Sequence, residues 1–240
     1  MNPPPPLPRS AATSPFTVEP MPEPPAPGSV LETLLKHPGR IIHELQHNRA
    51  TAISAWLLVL ALLGMGLYGV VVGTLSGGTQ MLIAPVKIAL GTLLAMLICL
   101  PSLCIFAALG GVEARLRTIT GLMLAAVCLM ALLLIGFAPV SWIFSQSTDS
   151  VALMGTLHLV FWLIGVGFGL RLLAAAGVYL GNAGSRHLKI WNVIFVLVCL
   201  QMTTALRPII GTSDTFLPRE KKFFAAHWLD TLKPSHSKDR

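Results

Sequence analysis

The sequence predicts an all-α, polytopic membrane protein with about five transmembrane helices and interfacial amphipathic helices at both ends. Three observations predict it. Hydrophobic residues make up 54% of the 240 residues and charged residues only 11%, less than half the usual charged share of a soluble protein. The apolar residues run in long stretches near the ~20 residues needed to cross a bilayer. The charges fall almost entirely between those stretches. The net charge of +7 therefore reads as a feature of membrane surfaces, where Lys and Arg meet phosphates and set topology. Nothing interleaves basic and aromatic residues as a nucleic-acid platform would, so no nucleic-acid partner is expected.

Taken in order, residues 1–28 hold eleven prolines. Such a segment forms neither a helix interior nor a core and is expected to be an extended, disordered tail. It lacks the basic start and apolar run of a signal peptide. Pro5-Pro6-Leu7-Pro8-Arg9 has the character of a polyproline ligand, but a spacer is the simpler reading. Residues 29–50 read as two short interfacial helices. Ser29 and Glu32 have capping-box spacing, Pro38-Gly39 separates the helices, and Ile41, Ile42 and Leu45 form an apolar stripe opposite Lys36, Arg40 and Arg49.

The domain over 51–207 is expected to hold spans at 51–74, 84–110, 119–145, 153–178 and 188–207. Pro101 and Pro139 should bend the second and third. Small residues four apart, as in Gly69/Gly73, Ala107/Gly111, Gly165/Gly169 and Gly177/Gly181, should let helix backbones approach closely. The glycines in Gly165-Val166-Gly167-Phe168-Gly169 suit helix packing rather than a nucleotide loop, because no strand precedes them. Cys99, Cys104, Cys128 and Cys199 all lie in apolar stretches and read as small hydrophobes. Residues 208–240 form a basic, amphipathic tail with Phe223, Phe224 and Trp228 beside Arg219, Lys221 and Lys222.

With the N-terminus inside, seven basic residues (Lys36, Arg40, Arg49, Arg115, Arg117, Arg186, Lys189) lie on the inner side. Five (Lys87, Arg207, Arg219, Lys221, Lys222) lie outside. The bias favours a cytoplasmic N-terminus, and a bacterial inner membrane is the expected location. The basic C-terminal tail runs against it, since five spans put that tail outside.

The candidate functional residues are polar groups that burial in lipid makes expensive. Arg171, within the fourth span, is expected to tie to Glu113 in the loop between the second and third, with a substrate or lipid headgroup as the other reading. Lys87, His158 and Arg207 should lie near the outer face with Asp149 and Asp214, as snorkelling span ends or as a polar vestibule. Gln201, Thr203 and Thr204 can hydrogen-bond across helices.

One motif points to an enzyme. His43-Glu44-Leu45-Gln46-His47 matches His-Glu-x-x-His. On one helix face, two such histidines bind zinc and the glutamate activates a water. Glu113 is a conceivable distant third ligand. There is no sequence for a substrate-holding domain, so two solvent-facing histidines on an interfacial helix are expected instead, with no catalytic residue and no cofactor.

Several short runs resemble a bacterial family of multi-span membrane proteins without an assigned function. They are Pro85-x-Lys87, Leu100-Pro101-Ser102-Leu103-x-x-Phe106, Phe168-Gly169-Leu170-Arg171, Gln201-Met202 and Leu206-Arg207-Pro208-Ile209-Ile210-Gly211. The layout is also distantly similar to the five-span Yip family of vesicle-trafficking proteins. The resemblance covers roughly residues 30–230. It implies that Lys87, Pro101, Arg171, Gln201, Arg207 and Pro208 matter to fold or function, and it implies no activity. The expected role is a non-enzymatic scaffold or subunit of a membrane complex whose partners are the lipid bilayer and other membrane proteins. A transporter or channel component and a membrane zinc metalloprotease are the alternatives. An odd span count and the lack of an inverted repeat weigh against transport.

Overall fold

Two short helices at one end of the chain lead into five long ones. The computed structural model describes residues 21, 25–46, 49–74, 80–112, 114–148, 150–181 and 186–205. They form α1 (Pro27–Lys36), α2 (Pro38–Gln46), α3 (Ala50–Thr74), α4 (Gln80–Leu109), α5 (Leu116–Ser147), α6 (Val151–Tyr179) and α7 (Arg186–Ala205). There is no strand among the described residues. Four of the helices, α3 to α6, are long and apolar enough to cross a membrane. Most of the Pro-rich tail, the whole tail beyond Ala205, Glu113, His47 and Arg207 lie outside the described residues.

The long helices stand in the spatial order α7–α4–α3–α5–α6. α5 is the central element. Its run Gly121–Cys128 is buried on every face, which is why its sequence is apolar all round rather than striped. α7 leans chiefly on α4 and α6 on α5, so these two helices, consecutive in the chain, barely touch each other.

Small residues set the closest approaches. A Cβ on Gly69 would stand 2.4 Å from the Cα of Pro85, so α3 and α4 meet backbone to backbone there. On α6, a Cβ on Gly169 would meet the Ala126 carbonyl of α5 at 2.8 Å, and one on Gly165 would meet the Met130 side chain at 3.2 Å. The small-residue spacing of Gly165/Gly169 is thus a packing device. Gly111 and Gly181 differ from expectation. They take φ of 83° and 97° just after α4 and α6, so they end helices, where the left-handed region favours glycine, and do not pair across them. The helices run unbroken through Pro85, Pro101 and Pro139.

The N-terminal pair also departs from the sequence reading. α1 starts at Pro27 with Ala26 as its cap, and Ser29 Oγ accepts from the Ala26 N–H at 3.0 Å. Glu32 does not complete a box with Ser29; it pairs with Lys36 at 2.8 Å, one turn on. α2 buries one face in the bundle, and that face includes a carboxylate. Ile41, Ile42, Glu44 and Leu45 are all buried against α3, α5 and α6. Thr118 Oγ1 donates to the Leu45 carbonyl at 3.0 Å. Gly121 supplies the room, since a Cβ there would come within 2.5 Å of Leu45 Cδ2.

Candidate functional site

Polar side chains gather in two places, one at each end of the bundle. At the first, the starts of α3 and α5 and the end of α6 converge under α2. Glu44 is 5% exposed and its Oε1 accepts the backbone N–H of Met21 at 3.0 Å. Arg49 Nη1 donates to the Met21 carbonyl at 3.0 Å. The Met21 side chain is itself buried, 3% exposed. One residue of the N-terminal segment is therefore held by both backbone groups and by its side chain. A buried carboxylate needs such donors, because desolvation without hydrogen bonds is costly. On the same helix His43 Nδ1 lies 3.0 Å from the Tyr179 hydroxyl of α6.

This arrangement changes the reading of His-Glu-x-x-His. His43 faces Tyr179 and Glu44 points into the protein, while His47 lies outside the described residues. Among the described residues no three His, Cys, Asp or Glu side chains are grouped to hold a metal.

The second place lies in the other half of the bundle. Tyr68 of α3 and His158 of α6 are 4% and 8% exposed. The Tyr68 hydroxyl lies 2.7 Å from His158 Nδ1, with the rings edge to face. Ser141 of α5 is fully buried beside the phenol. Among the described residues neither Ser141 Oγ nor His158 Nε2 has a hydrogen-bond partner, and Ser54 Oγ, near α2, likewise has none. The Gly69–Pro85 contact fixes the register of α3 against α4. It places Lys87, two residues beyond Pro85, within about one helical turn of Tyr68 in depth. Lys87 is 1% exposed. Further towards that end, Thr74 Oγ1 and Ser145 Oγ approach to 3.4 Å. Four helices thus each place one buried polar side chain at similar depth.

Lys87 and His158, read from the sequence as snorkelling span ends or a polar vestibule, are both buried inside the bundle. The reason is geometric. Tyr68 gives His158 a partner inside, and the α3–α4 contact at Pro85 leaves Lys87 on a face covered by protein. Tyr68 and Ser141 were not singled out from sequence. The usable signal was their place among apolar neighbours, where a phenol or hydroxyl normally finds a partner.

The remaining candidates are scattered. Arg171 is exposed on α6, with its guanidinium 5.9 Å from the Phe168 ring centroid. Its expected partner Glu113 lies outside the described residues, as do Arg207, Pro208, Asp149 and Asp214. Gln201 is half-buried on α7. A polar contact missed in the sequence holds α7 in place. Trp191, fully buried, donates from Nε1 to Ser102 Oγ of α4 at 3.0 Å and stacks on Phe195. The four cysteines are free.

No family model, curated protein or solved structure matches the chain.

Proposed function

We propose that the protein is a non-enzymatic, multi-pass membrane component, a scaffold or a subunit of a membrane complex. In this reading it crosses a bacterial inner membrane five times, with α7 as the fifth crossing and the N-terminus in the cytoplasm. The observation that carries the reading is the hold on Met21. Glu44, the one residue of the zinc-protease motif that would do chemistry, is buried and bonded to the N-terminal segment. One residue of the Pro-rich segment is thereby fixed against the bundle, as an anchored arm that meets other proteins would require.

Charge placement supports the orientation. Among the described residues, Lys36, Arg40, Arg49, Arg115, Arg117, Arg186 and Lys189 lie at the α1–α2 end, and Lys87 is the one basic residue in the opposite half. A cysteine introduced at Ser235 in a cysteine-free background tests the topology. In right-side-out vesicles it should label without permeabilisation; label only after permeabilisation would refute an outside C-terminus. Crosslinking in native membranes tests the role. A discrete protein complex is expected, and a chain that captures no protein would sink the scaffold reading.

A transporter or channel component is the second reading. The buried layer of Tyr68, Lys87, Ser141 and His158 favours it, because intramembrane polar groups often mark solute paths. Solute or ion flux in proteoliposomes that His158→Ala abolishes would favour this reading over the first. The protease reading is tested separately. Purified protein should hold no stoichiometric zinc, and Glu44→Gln should leave cellular function intact. Zinc at about one per chain, with substrate cleavage abolished by Glu44→Gln, would establish the protease instead.

A further inference from the structure

Arg171 is in the wrong place for an arginine in a membrane helix. The face of α6 buried on α5 carries Gly165, Gly169, Leu172 and Ala176. At 3.6 residues per turn, Arg171 points roughly the opposite way. It is exposed and shares that outer side with Ile164, Phe168 and Val178, all exposed apolar residues. Among the described residues it makes no hydrogen bond or ion pair, and its guanidinium lies 5.9 Å from the Phe168 ring centroid. A guanidinium on a lipid-facing surface demands a counter-charge or water.

Depth selects the counter-charge. Arg171 lies eight residues (179 − 171) before the end of α6 at Tyr179, about 12 Å along the axis. The 29 residues of α6 span about 43 Å, against about 30 Å of hydrocarbon, so each end emerges by some 6–7 Å. The Arg171 backbone then sits a few ångströms below the hydrocarbon edge, a distance an arginine bridges by snorkelling. Its fork arrives at phosphate level. Arg186 and Lys189 open the adjoining helix α7 at the same end and are exposed. Among the described residues the acids there are already engaged, Glu32 by Lys36 and Glu44 by the Met21 N–H, and Glu113 lies outside them.

We infer that Arg171, at the end of the bundle that also carries the exposed Arg186 and Lys189, binds the phosphate headgroup of an anionic phospholipid in the leaflet at the α1–α2 end. The planar guanidinium supplies a bidentate grip on phosphate, and the surrounding excess of cations supplies the preference for a net negative headgroup. The inference rests on the proposed insertion of α6 across the bilayer, but not on the scaffold role.

The test uses the full-length protein in nanodiscs of phosphatidylcholine with and without phosphatidylglycerol, with lipids retained after transfer to detergent counted by native mass spectrometry. Wild type should retain phosphatidylglycerol in preference to phosphatidylcholine. Arg171→Gln should weaken that retention about tenfold, the size of one lost charge-assisted bidentate contact. Arg171→Lys, which keeps the charge without the fork, should fall between them, and Lys189→Gln should have a smaller effect. Equal retention of the two lipids by wild type overturns the inference, and needs no variant to fold. Undiminished selectivity in folded Arg171→Gln also overturns it. So does loss of a captured protein partner in Arg171→Gln with lipid retention unchanged, which would assign the arginine to an acidic residue of that partner. Failure of the lipid test in reconstituted protein leaves the scaffold reading standing, and an absent protein complex leaves the lipid site standing.

Discussion

The two ends of the bundle handle polar groups in opposite ways. At the α1–α2 end the charges are many and exposed, and the buried carboxylate of Glu44 is answered by a backbone N–H. In the other half the polar side chains are few and enclosed; among the described residues Ser141 Oγ and His158 Nε2 have no hydrogen-bond partner there, and Ser54 Oγ has none at the α1–α2 end. The difference follows from what surrounds each end. α2 and Met21 lie across the first end and bring backbone donors and acceptors with them. The second half contains only long helices, whose backbone groups are already bonded within each helix. A polar side chain there must find another side chain or go without.

The largest test of this contrast is at the closest helix contact of the enclosed half. Gly69→Ala puts a Cβ against the Pro85 backbone and should destabilise the protein by roughly 3 kcal/mol, the upper range for overpacking. Gly136→Ala on α5, where a Cβ meets nothing within 4 Å, should be neutral or slightly stabilising. Thermal unfolding in detergent micelles would compare them, and equal effects would show that α3 and α4 are not in backbone contact.

At the opposite end, Glu44→Ala should lose about 1–3 kcal/mol by leaving the Met21 N–H without its acceptor. It should also open the segment around Met21 to limited proteolysis. Glu44→Gln retains an acceptor oxygen and should resemble wild type in both measurements. Cleavage at wild-type rate in Glu44→Ala would mean that the carboxylate does not hold the arm.

Tyr68→Phe removes one interhelical hydrogen bond of the enclosed layer. A loss of about 0.6 kcal/mol is expected, typical of such bonds in membrane proteins. A much larger loss would reveal that the layer acts as a connected network.

The smallest effect belongs to the exposed Glu32–Lys36 pair. The Lys36 hydrogen bond, and then its charge, hold the Glu32 carboxyl below its ordinary 4.5. The same bond and charge raise Lys36 above its ordinary 10.5. For Glu32, the folded value is depressed, so its contribution is present above pH 4.5 and is lost as pH falls through the lower folded value. For Lys36, the folded value is raised, so its contribution is present below pH 10.5 and is lost as pH rises through the higher one. Any stability difference between wild type and Glu32→Gln should therefore be present near neutrality, vanish at low pH and shrink with salt. A difference that grew on acidification would contradict this sign.

Composition and the length of the apolar runs were enough to read the helical class. They located all seven described helices, with boundaries within four residues for the five long ones, because a bilayer-length apolar run has few alternative structures. The packing role of Gly165/Gly169 was legible for the same local reason: small residues one turn apart make one flat face. What the sequence did not show was which polar residues meet. Ser29 looked like a cap until Pro27 started the helix earlier. Glu44 stood out only as the possible base of a zinc motif, yet its carboxylate meets the backbone of Met21, twenty-three residues away. Tyr68 and His158 are ninety residues apart, and Ser102 and Trp191 eighty-nine. Helical periodicity states which face of a helix a residue occupies. Only the packing of one helix on another decides whether that face meets lipid, water or another polar group.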